Sequence, residues 1–222
     1  LKGAPDEEVT NFINAVTTNK TDFFRENKHF EYMKSTFLPN WEKNYKEGKV
    51  NNLRIWSAAC STGEEPYTIA MTLHDYFGER FNHYDIKVLA SDIDTNVLAH
   101  AYAGIYKEET VETIQTSTLK KYFLKGTGNN AGLYKVKNIL QKCISFRQLN
   151  FKDEDFDIHT KFDLIFCRNV IIYFDKEFQK ELFNKFYRYM KDDSYVFIGH
   201  SETLFGISDL FKYISSNIYK KI

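Results

Sequence analysis

Short apolar runs alternate with amphipathic helical segments along most of the chain. The runs at 53–58, 86–91 and 162–167 are rich in apolar residues, which predicts strands buried on both faces of a sheet. Residues 64–77 and 176–190 carry apolar side chains at helical spacing. Buried strands that alternate with helices predict a doubly wound, Rossmann-like α/β fold, with a mostly parallel sheet and helices on both faces.

A glycine-rich segment breaks this alternation. The loop GTGNNAG leads into an alternating stretch at 133–137. Such a pattern predicts a small antiparallel hairpin and not a parallel crossover. We therefore expect an antiparallel hairpin within residues 125–137.

The N-terminal part of the chain is predicted to be helical. Residues 1–18 place apolar side chains on one helical face, which predicts a linker helix before the main domain at 19–222. A second helical stretch between 23 and 41 is expected to be interrupted at Pro39. The chain begins at Leu1 and not at Met, so we expect it to be a fragment of a longer protein.

The turn after the first strand carries the strongest chemical signal. It contains one glycine, and two carboxylates, Glu64 and Glu65, open the helix that follows. The second strand ends at Asp92. In doubly wound folds, an adenosine ribose binds to a strand, turn, helix and second strand in which the second strand ends in a carboxylate. Asp92 is therefore expected to hold the two ribose hydroxyls.

The two carboxylates at the helix start indicate which adenosine ligand binds. A dinucleotide site uses the pattern GxGxxG, because glycines let the backbone approach a pyrophosphate. Here one glycine remains, and Glu64 and Glu65 would repel a pyrophosphate. They suit the ammonium and sulfonium of S-adenosylmethionine. The alternative is that both residues only complement the helix dipole.

Composition and charge exclude several classes of protein. No apolar run is long enough to span a bilayer, which predicts no membrane insertion. The formal net charge of zero argues against a general nucleic-acid binder. Cys60, Cys143 and Cys167 are odd in number and widely spaced, which predicts buried, reduced thiols in a cytoplasmic protein and no metal site.

Basic residues are concentrated in one part of the chain. Residues 113–152 contain eight Lys and Arg residues and no Asp or Glu, a local charge of +8. A basic module within a neutral protein indicates a docking surface for an acidic partner. A solvated, lysine-rich face is the alternative interpretation.

Five segments together resemble the catalytic region of the bacterial chemotaxis receptor methyltransferases, and they occur in that family's order. The segments are TTNKTDFFR at 17–25, WSAACSTGEEPY at 56–67, ASDID at 90–94, FCRNVIIYFD at 166–175 and GHSE at 199–202. The resemblance covers the chain from about residue 10 to its C-terminus.

The resemblance implies an activity. Members of this family transfer a methyl group from S-adenosylmethionine to glutamate side chains of chemoreceptors, leaving glutamate methyl esters and S-adenosylhomocysteine in sensory adaptation. Two alternatives stay open from the residues: an S-adenosylmethionine-dependent methyltransferase of a nucleic acid or small molecule, and a receptor-docking module without turnover.

The resemblance also implies site residues. Arg25 and Tyr173 are expected beside the methyl group, as the catalytic residues. The residues expected to contact the cofactor are Asn19, Thr21, Arg25, Glu65, Asp92, Asn150, Phe151, Asn169 and Val170. From the residues alone, Arg168 is either half of a strand-end ion pair or part of the site, His29 is a surface histidine, and His200 is a packed strand-end imidazole.

The resemblance implies partners as well. The substrate would be the cytoplasmic helical domain of a chemoreceptor, and family members usually contact it through a basic helical domain that precedes the catalytic one. The resemblance also implies a small inserted antiparallel β-subdomain at residues 125–145, similar to that of members that bind the receptor C-terminal peptide. Nucleic acid is not an expected partner, and the protein is expected to be a monomer.

Overall fold

A computed structural model of the chain describes residues 19–204, 206 and 208–222; the linker helix predicted at 1–18 lies outside them. No helix among the described residues is long and apolar enough to cross a membrane. The helices are α1 (Lys28–Tyr32), α2 (Leu38–Lys46), α3 (Glu64–Phe77), α4 (Thr95–Ala103), α5 (Glu108–Val111), α6 (Thr116–Tyr122), α7 (Asn138–Gln141) and α8 (Lys176–Arg188). The strands are β1 (Leu53–Ala58), β2 (Ile86–Asp92), β3 (Ile105–Lys107), β4 (Phe123–Lys125), β5 (Leu133–Val136), β6 (Ile144–Gln148), β7 (Phe162–Cys167), β8 (Met190–Ile198), β9 (Phe211–Ser215) and β10 (Ile218–Lys221).

The main sheet has seven strands in the order β6-β2-β1-β7-β8-β10-β9. The first five are parallel, and β10 pairs antiparallel with β8 and with β9. The chain moves outward from β1 to β2 and β6, and then returns to continue on the other side with β7. This reversal is a topological switch point, where open α/β sheets bind ligands at the carboxyl ends of their strands. The predicted fold class is confirmed.

The central strands separate two hydrophobic cores. All six residues of β7 are buried, as its apolar run predicted. Leu164 and Phe166 enter the core that also holds residues of α1, α2 and α3. Ile165 and Cys167 point the other way, into the core filled by α8. A strand buried on both faces is held rigidly, so the residues that follow its carboxyl end have a fixed position.

The helical stretch before the sheet does not break at Pro39, contrary to the expectation above. Helical structure is continuous from α1 through a π-helical turn, Met33–Phe37, into α2, where Pro39 occupies the first turn. A proline within a helix removes one N–H and clashes with the carbonyl four residues earlier. That carbonyl belongs to Ser35, inside the π turn, where the wider hydrogen-bonding pattern accommodates the proline.

The small sheet differs from the predicted β-subdomain in its bounds. It consists of β3, β5 and β4 in that order, all antiparallel. It therefore begins before residue 125, and β6, which falls within 125–145 in part, belongs to the main sheet. Strands of three residues, such as β3 and β4, are too short to show an alternating pattern in the sequence.

Candidate functional site

A cavity of about 530 Å³ lies at the carboxyl edge of the main sheet, beside the switch point. Its walls come from the segment before α1, the turn after β1, and the segments that follow β2, β6 and β7. All ten residues named above as site residues line it: Asn19, Thr21, Arg25, Glu65, Asp92, Asn150, Phe151, Asn169, Val170 and Tyr173. The fold thus brings together residues that are far apart in the sequence.

The turn after β1 is built around Asp92. The backbone N–H of Ser61 donates to Oδ2 of Asp92 at 2.8 Å, and the N–H of Asp94 donates to Oδ1 at 3.0 Å. Ser61 has a φ of 50°, so the turn beside the carboxylate adopts a left-handed conformation. Each oxygen of Asp92 has a second acceptor position, so the carboxylate is able to accept two ligand hydroxyls.

Gly63 sets the path of the same turn. It has a φ of 99°, and a Cβ there would lie 2.8 Å from Cβ of Ala101 and 2.9 Å from the hydroxyl of Tyr106. Only glycine fits both the conformation and the space. The single glycine retained in this turn therefore serves helix packing and not a pyrophosphate.

The segment before α1 covers the strand ends. Nδ2 of Asn19 donates to Oδ2 of Asp94 at 2.9 Å, and the hydroxyl of Ser61 donates to the carbonyl of Asn19 at 3.1 Å. Asp94 also caps α4, since its side chain accepts from the N–H groups of Asn96 and Val97. These bonds hold the segment that carries Thr21 and Arg25 above the cavity.

The two glutamates at the start of α3 have different surroundings. Glu65 lines the cavity, and its carboxylate accepts from the hydroxyl of Ser57 at 2.7 Å and from Nη1 of Arg168 at 3.0 Å. Burial raises the pKa of Glu65 despite these partners. Glu64 is buried outside the cavity, where the hydroxyl of Thr62 donates to it at 2.7 Å. The geometry favours Glu65 as the ligand-facing acid.

Glu64 should make the protein less stable as the pH rises. Burial raises its pKa from 4.5 to about 7. A carboxyl whose pKa is higher in the folded state stabilises the fold below pH 4.5, and this contribution is lost as the pH rises through 7. The shift in pKa corresponds to about 3 kcal/mol of stability. We expect Glu64→Gln to be more stable than the wild type at pH 8 and no more stable at pH 4, measured by urea unfolding. A wild-type advantage at pH 8 would contradict this.

Arg168 pairs with two acids, Glu65 in the cavity wall and Glu26 outside it. Its guanidinium contacts Glu65 at 3.0 Å and Glu26 at 3.1 Å, donates to the carbonyl of Arg25, and lies over the ring of Phe30. Its side chain has an exposed fraction of 3%. The ion-pair interpretation is confirmed. Arg168 also lines the cavity, and its role in the site stays a prediction.

Glu26 is a residue that sequence reasoning missed. Burial alone would raise its pKa, but Arg168 and the backbone N–H of His200 outweigh burial and hold the pKa below its ordinary value. Glu26 has a φ of 56°, so the backbone beside Arg25 is fixed in an unusual conformation. Nothing in the local pattern of the sequence distinguishes this acid from a surface glutamate.

The backbone after β7 is held by Glu202. Its carboxylate accepts from the N–H groups of Asn169 at 2.9 Å and Ile171 at 3.0 Å. Asn169 has a φ of 58°, which asparagine tolerates better than most residues. This arrangement presents Asn169 and Val170 to the cavity.

The histidine interpretations were both wrong. His29, predicted to lie at the surface, has an exposed fraction of 0%, because its ring packs beside Phe197 and Nε2 bonds to the carbonyl of Ser216. Burial, and then the charge of Arg168, lower its pKa to about 4. His200, predicted to be packed, is exposed, since the chain leaves the sheet after β8.

Asn150 and Phe151 follow β6 and form the far wall. Oδ1 of Asn150 accepts from the N–H of Lys152 at 3.0 Å, and the carbonyl of Phe151 accepts from Nζ of Lys185 at 3.1 Å. The ring of Phe151 meets that of Phe174 edge to face, 6.4 Å away. An apolar wall with one amide beside it suits a purine ring.

The mouth of the cavity holds Arg25 and Tyr173. Nη1 of Arg25 donates to the carbonyl of Lys20 at 2.9 Å. Tyr173 ends a short 3₁₀ turn, Ile171–Tyr173, and has an exposed fraction of 58%. A cation and a phenol at an open mouth are able to meet an acceptor that arrives from solvent. Their catalytic roles remain predictions.

The site combines acids beside the ends of β1 and β2, an apolar wall and an open mouth. Together with the strand order of the sheet, this arrangement characterises an S-adenosylmethionine-dependent methyltransferase. The sequence model described as "CheR methyltransferase, SAM binding domain" matches residues 19–220. The chain belongs to this family, and S-adenosylmethionine is its methyl donor. The predicted family and cofactor are confirmed.

Relatives share long alignments with the chain. The chemotaxis protein methyltransferase of Borreliella burgdorferi is 42% identical over 99% of this chain and 76% of its own length. That of Escherichia coli is 40% identical over 94% of this chain and 69% of its own length. Among solved structures, magnesium protoporphyrin IX methyltransferase from Synechocystis with bound S-adenosylmethionine is 13% identical over 87% of this chain and 76% of that one, with a TM-score of 0.37.

Proposed function

We propose that this enzyme transfers the methyl group of S-adenosylmethionine to the γ-carboxylate of glutamate side chains in the cytoplasmic helical domain of chemoreceptors. Its part in chemotaxis follows from the family and from relatives that are up to 42% identical. We further propose that it acts as a monomer in the cytoplasm. The product would be a glutamate methyl ester, as required for sensory adaptation.

The composition of the cavity carries this proposal. Among the described residues, no histidine lines it, while Arg25 and Tyr173 stand at its mouth. An amine or hydroxyl acceptor must lose a proton, so its enzyme needs a base. A glutamate carboxylate has an ordinary pKa of about 4.3 and is already ionised at neutral pH. A mouth with a cation and a phenol, and without an imidazole, suits a carboxylate acceptor.

The reaction is an in-line displacement. A carboxylate oxygen of the acceptor forms a bond to the methyl carbon while the bond from that carbon to sulfur breaks, and the electron pair leaves with sulfur. Asp92 would hold the ribose hydroxyls, and Glu65 would face the positively charged end of the donor. Arg25 and Tyr173 would align the acceptor carboxylate. Alignment of reacting groups lowers a barrier by as much as about 7–11 kcal/mol.

Replacing Tyr173 should affect turnover and not cofactor binding. We expect Tyr173→Phe to lower kcat about 10-fold to 100-fold, because a misaligned acceptor reacts slowly. The affinity for S-adenosylhomocysteine, measured by calorimetry, should change little. Tyr213→Phe is the matched control, since Tyr213 has an exposed fraction of 55% on β9. Equal losses in kcat and affinity would contradict an orienting role.

Methyl transfer to defined acceptors tests the proposed function. The enzyme is incubated with radiolabelled S-adenosylmethionine and a receptor cytoplasmic fragment, or with DNA, RNA or a phenol. We expect label on the receptor fragment alone, released as methanol by mild base because esters hydrolyse. Receptor fragments with Gln at the modified positions should take up no label. Label on another acceptor, or label that resists base, would overturn the proposal.

The small sheet supports a second contact with the receptor. We propose that its outer strands, β3 and β4, bind the acidic C-terminal peptide of a chemoreceptor as an added strand. Each has one edge that β5 does not cover. Lys125 on β4 and Lys135 on the central strand β5 are exposed on this sheet, and would attract acidic side chains.

Charge reversal in the small sheet tests this contact. We expect Lys135→Glu to weaken the binding of receptor C-terminal peptides about threefold to tenfold at low salt, the size of a few surface charge interactions. Lys87→Glu, an exposed lysine on β2, is the control and should have no effect. Absence of binding by the wild type at low salt would reject peptide tethering.

A further inference from the structure

His29 carries an unpaired nitrogen in the interior of the protein. Its Nε2 lies 2.7 Å from the carbonyl oxygen of Ser216. A carbonyl oxygen only accepts hydrogen bonds, so Nε2 bears the hydrogen and Nδ1 bears the lone pair of the neutral ring. Among the described residues, Nδ1 of His29 is the one buried side-chain nitrogen or oxygen without a hydrogen-bond partner. Burying an acceptor without a partner costs free energy.

The groups around Nδ1 of His29 favour a bound cation. Oε2 of Glu26 lies 3.7 Å from Nδ1, so a lone pair faces a carboxylate. The ring of His200 approaches His29 edge to face, with the ring centres 5.7 Å apart. Ligand atoms of Glu26, His29 and His200 all lie within 4.8 Å of one another. Two acceptors that face each other become compatible when a positive ion lies between them.

We propose that Glu26, His29 and His200 form a binding site for a divalent transition-metal ion of the Zn²⁺ type. Two imidazoles and one carboxylate are a ligand set that Zn²⁺ accepts, with water in the fourth position. Ligands bonded to Zn²⁺ at about 2.0–2.1 Å in a tetrahedral arrangement lie about 3.4 Å apart. The 3.7 Å between Nδ1 and Oε2 is close to this separation. His200 is exposed, so it supplies both the entry path and the ligand that must move inward.

Arg168 couples this site to the cofactor cavity. Its Nη2 lies 3.1 Å from the Glu26 oxygen that faces His29, so its charge opposes a second cation there. A bound metal ion would therefore draw Glu26 away from Arg168. Because Arg168 also holds Glu65 at the cavity wall, the metal would disturb that wall. We expect occupancy by Zn²⁺ to weaken the binding of S-adenosylhomocysteine, and by linkage S-adenosylhomocysteine to weaken the binding of Zn²⁺.

Cobalt substitution provides the test. Co²⁺ reports tetrahedral coordination by its visible absorption, and it is titrated into the whole chain and then displaced by Zn²⁺. We expect one Co²⁺ per chain. His200→Ala should weaken the binding of Co²⁺ at least about tenfold. Replacing a residue that only orients a metal ligand already costs that much, and His200 would be a ligand itself. His200 is the residue to replace because it is exposed, whereas His29 is buried. His159→Ala removes another exposed histidine and should leave binding unchanged.

Calorimetry with Zn²⁺ and S-adenosylhomocysteine provides the second readout. Weaker nucleoside binding in the presence of Zn²⁺, lost in His200→Ala, would support both the site and its coupling through Arg168. Absence of tetrahedral Co²⁺ absorption in the wild type, or equal absorption in His200→Ala, would overturn the proposal.

Discussion

Asp92→Ala is expected to lower the affinity for S-adenosylhomocysteine about 100-fold to 10⁴-fold. Two hydrogen bonds from the ribose hydroxyls to a charged acceptor would disappear, and each is worth about 1.5–3 kcal/mol. Water has poor access to Asp92, which has an exposed fraction of 7%, and does not replace the carboxylate well. Isothermal titration calorimetry with S-adenosylhomocysteine measures this loss.

The control is a second carboxylate of the same cavity. Asp22 lines the exposed rim, and Asp22→Asn should change the affinity only slightly. Asp92 also accepts from the N–H groups of Ser61 and Asp94, so thermal unfolding of Asp92→Ala must be recorded, together with that of Asp92→Asn. Unchanged nucleoside affinity in a folded Asp92→Ala variant would show that the ribose lies elsewhere.

Arg168→Met is expected to destabilise the fold by about 3–5 kcal/mol, because it leaves buried carboxylates without their cation. For a chain of this size the loss corresponds to a fall in Tm of about 6–20 °C. Arg147→Met is the matched control. The pair of Arg147 with Asp157 is exposed, and such pairs contribute about 0–1 kcal/mol.

The destabilisation should depend on pH in a defined direction. Without Arg168, burial would raise the pKa of both Glu26 and Glu65 above their values in the unfolded chain. Their protonated forms carry no penalty, so the variant should approach wild-type stability below pH 4 and lose stability as the pH rises. Urea unfolding at pH 4 and pH 8 measures the difference. If the variant lost the same free energy of unfolding at pH 4 and at pH 8, Arg168 would act through packing and not through charge.

Much of the fold follows from local patterns in the sequence. The strongest signals are the apolar runs at β1, β2 and β7 and the helical spacing of apolar residues in α3. Buried strands and amphipathic helices are told apart by the period of these residues. The bounds of the small sheet were predicted only in part: β5 lies within 125–145, whereas β3 lies before it, and a three-residue strand shows no alternating pattern of its own. The helix across Pro39 was missed, since the π turn that relieves the clash has no pattern of its own.

The site was predictable where one segment carries the chemistry. The carboxylate that ends β2 and the acids that open α3 are visible in the sequence, and the resemblance supplied the residues from distant segments. Glu26 and the burial of His29 were not visible. Their environment is made by Arg168 and Ser216, which only the folded chain brings near. The metal site proposed here depends on a contact of the same kind, since His29 and His200 lie near opposite ends of the chain and meet only in the fold.

The most direct test of the central claim is a crystal structure of the chain with S-adenosylhomocysteine. We propose that Glu65, which follows the turn after β1, and Asp92, which ends β2, bind an adenosyl methyl donor across the carboxyl edge of the sheet. We expect both ribose hydroxyls within about 2.5–3.0 Å of the Asp92 carboxylate, with the adenine beside Phe151 and the sulfur toward Tyr173. A nucleoside bound away from Asp92, or one lying in the reverse direction, would contradict the account.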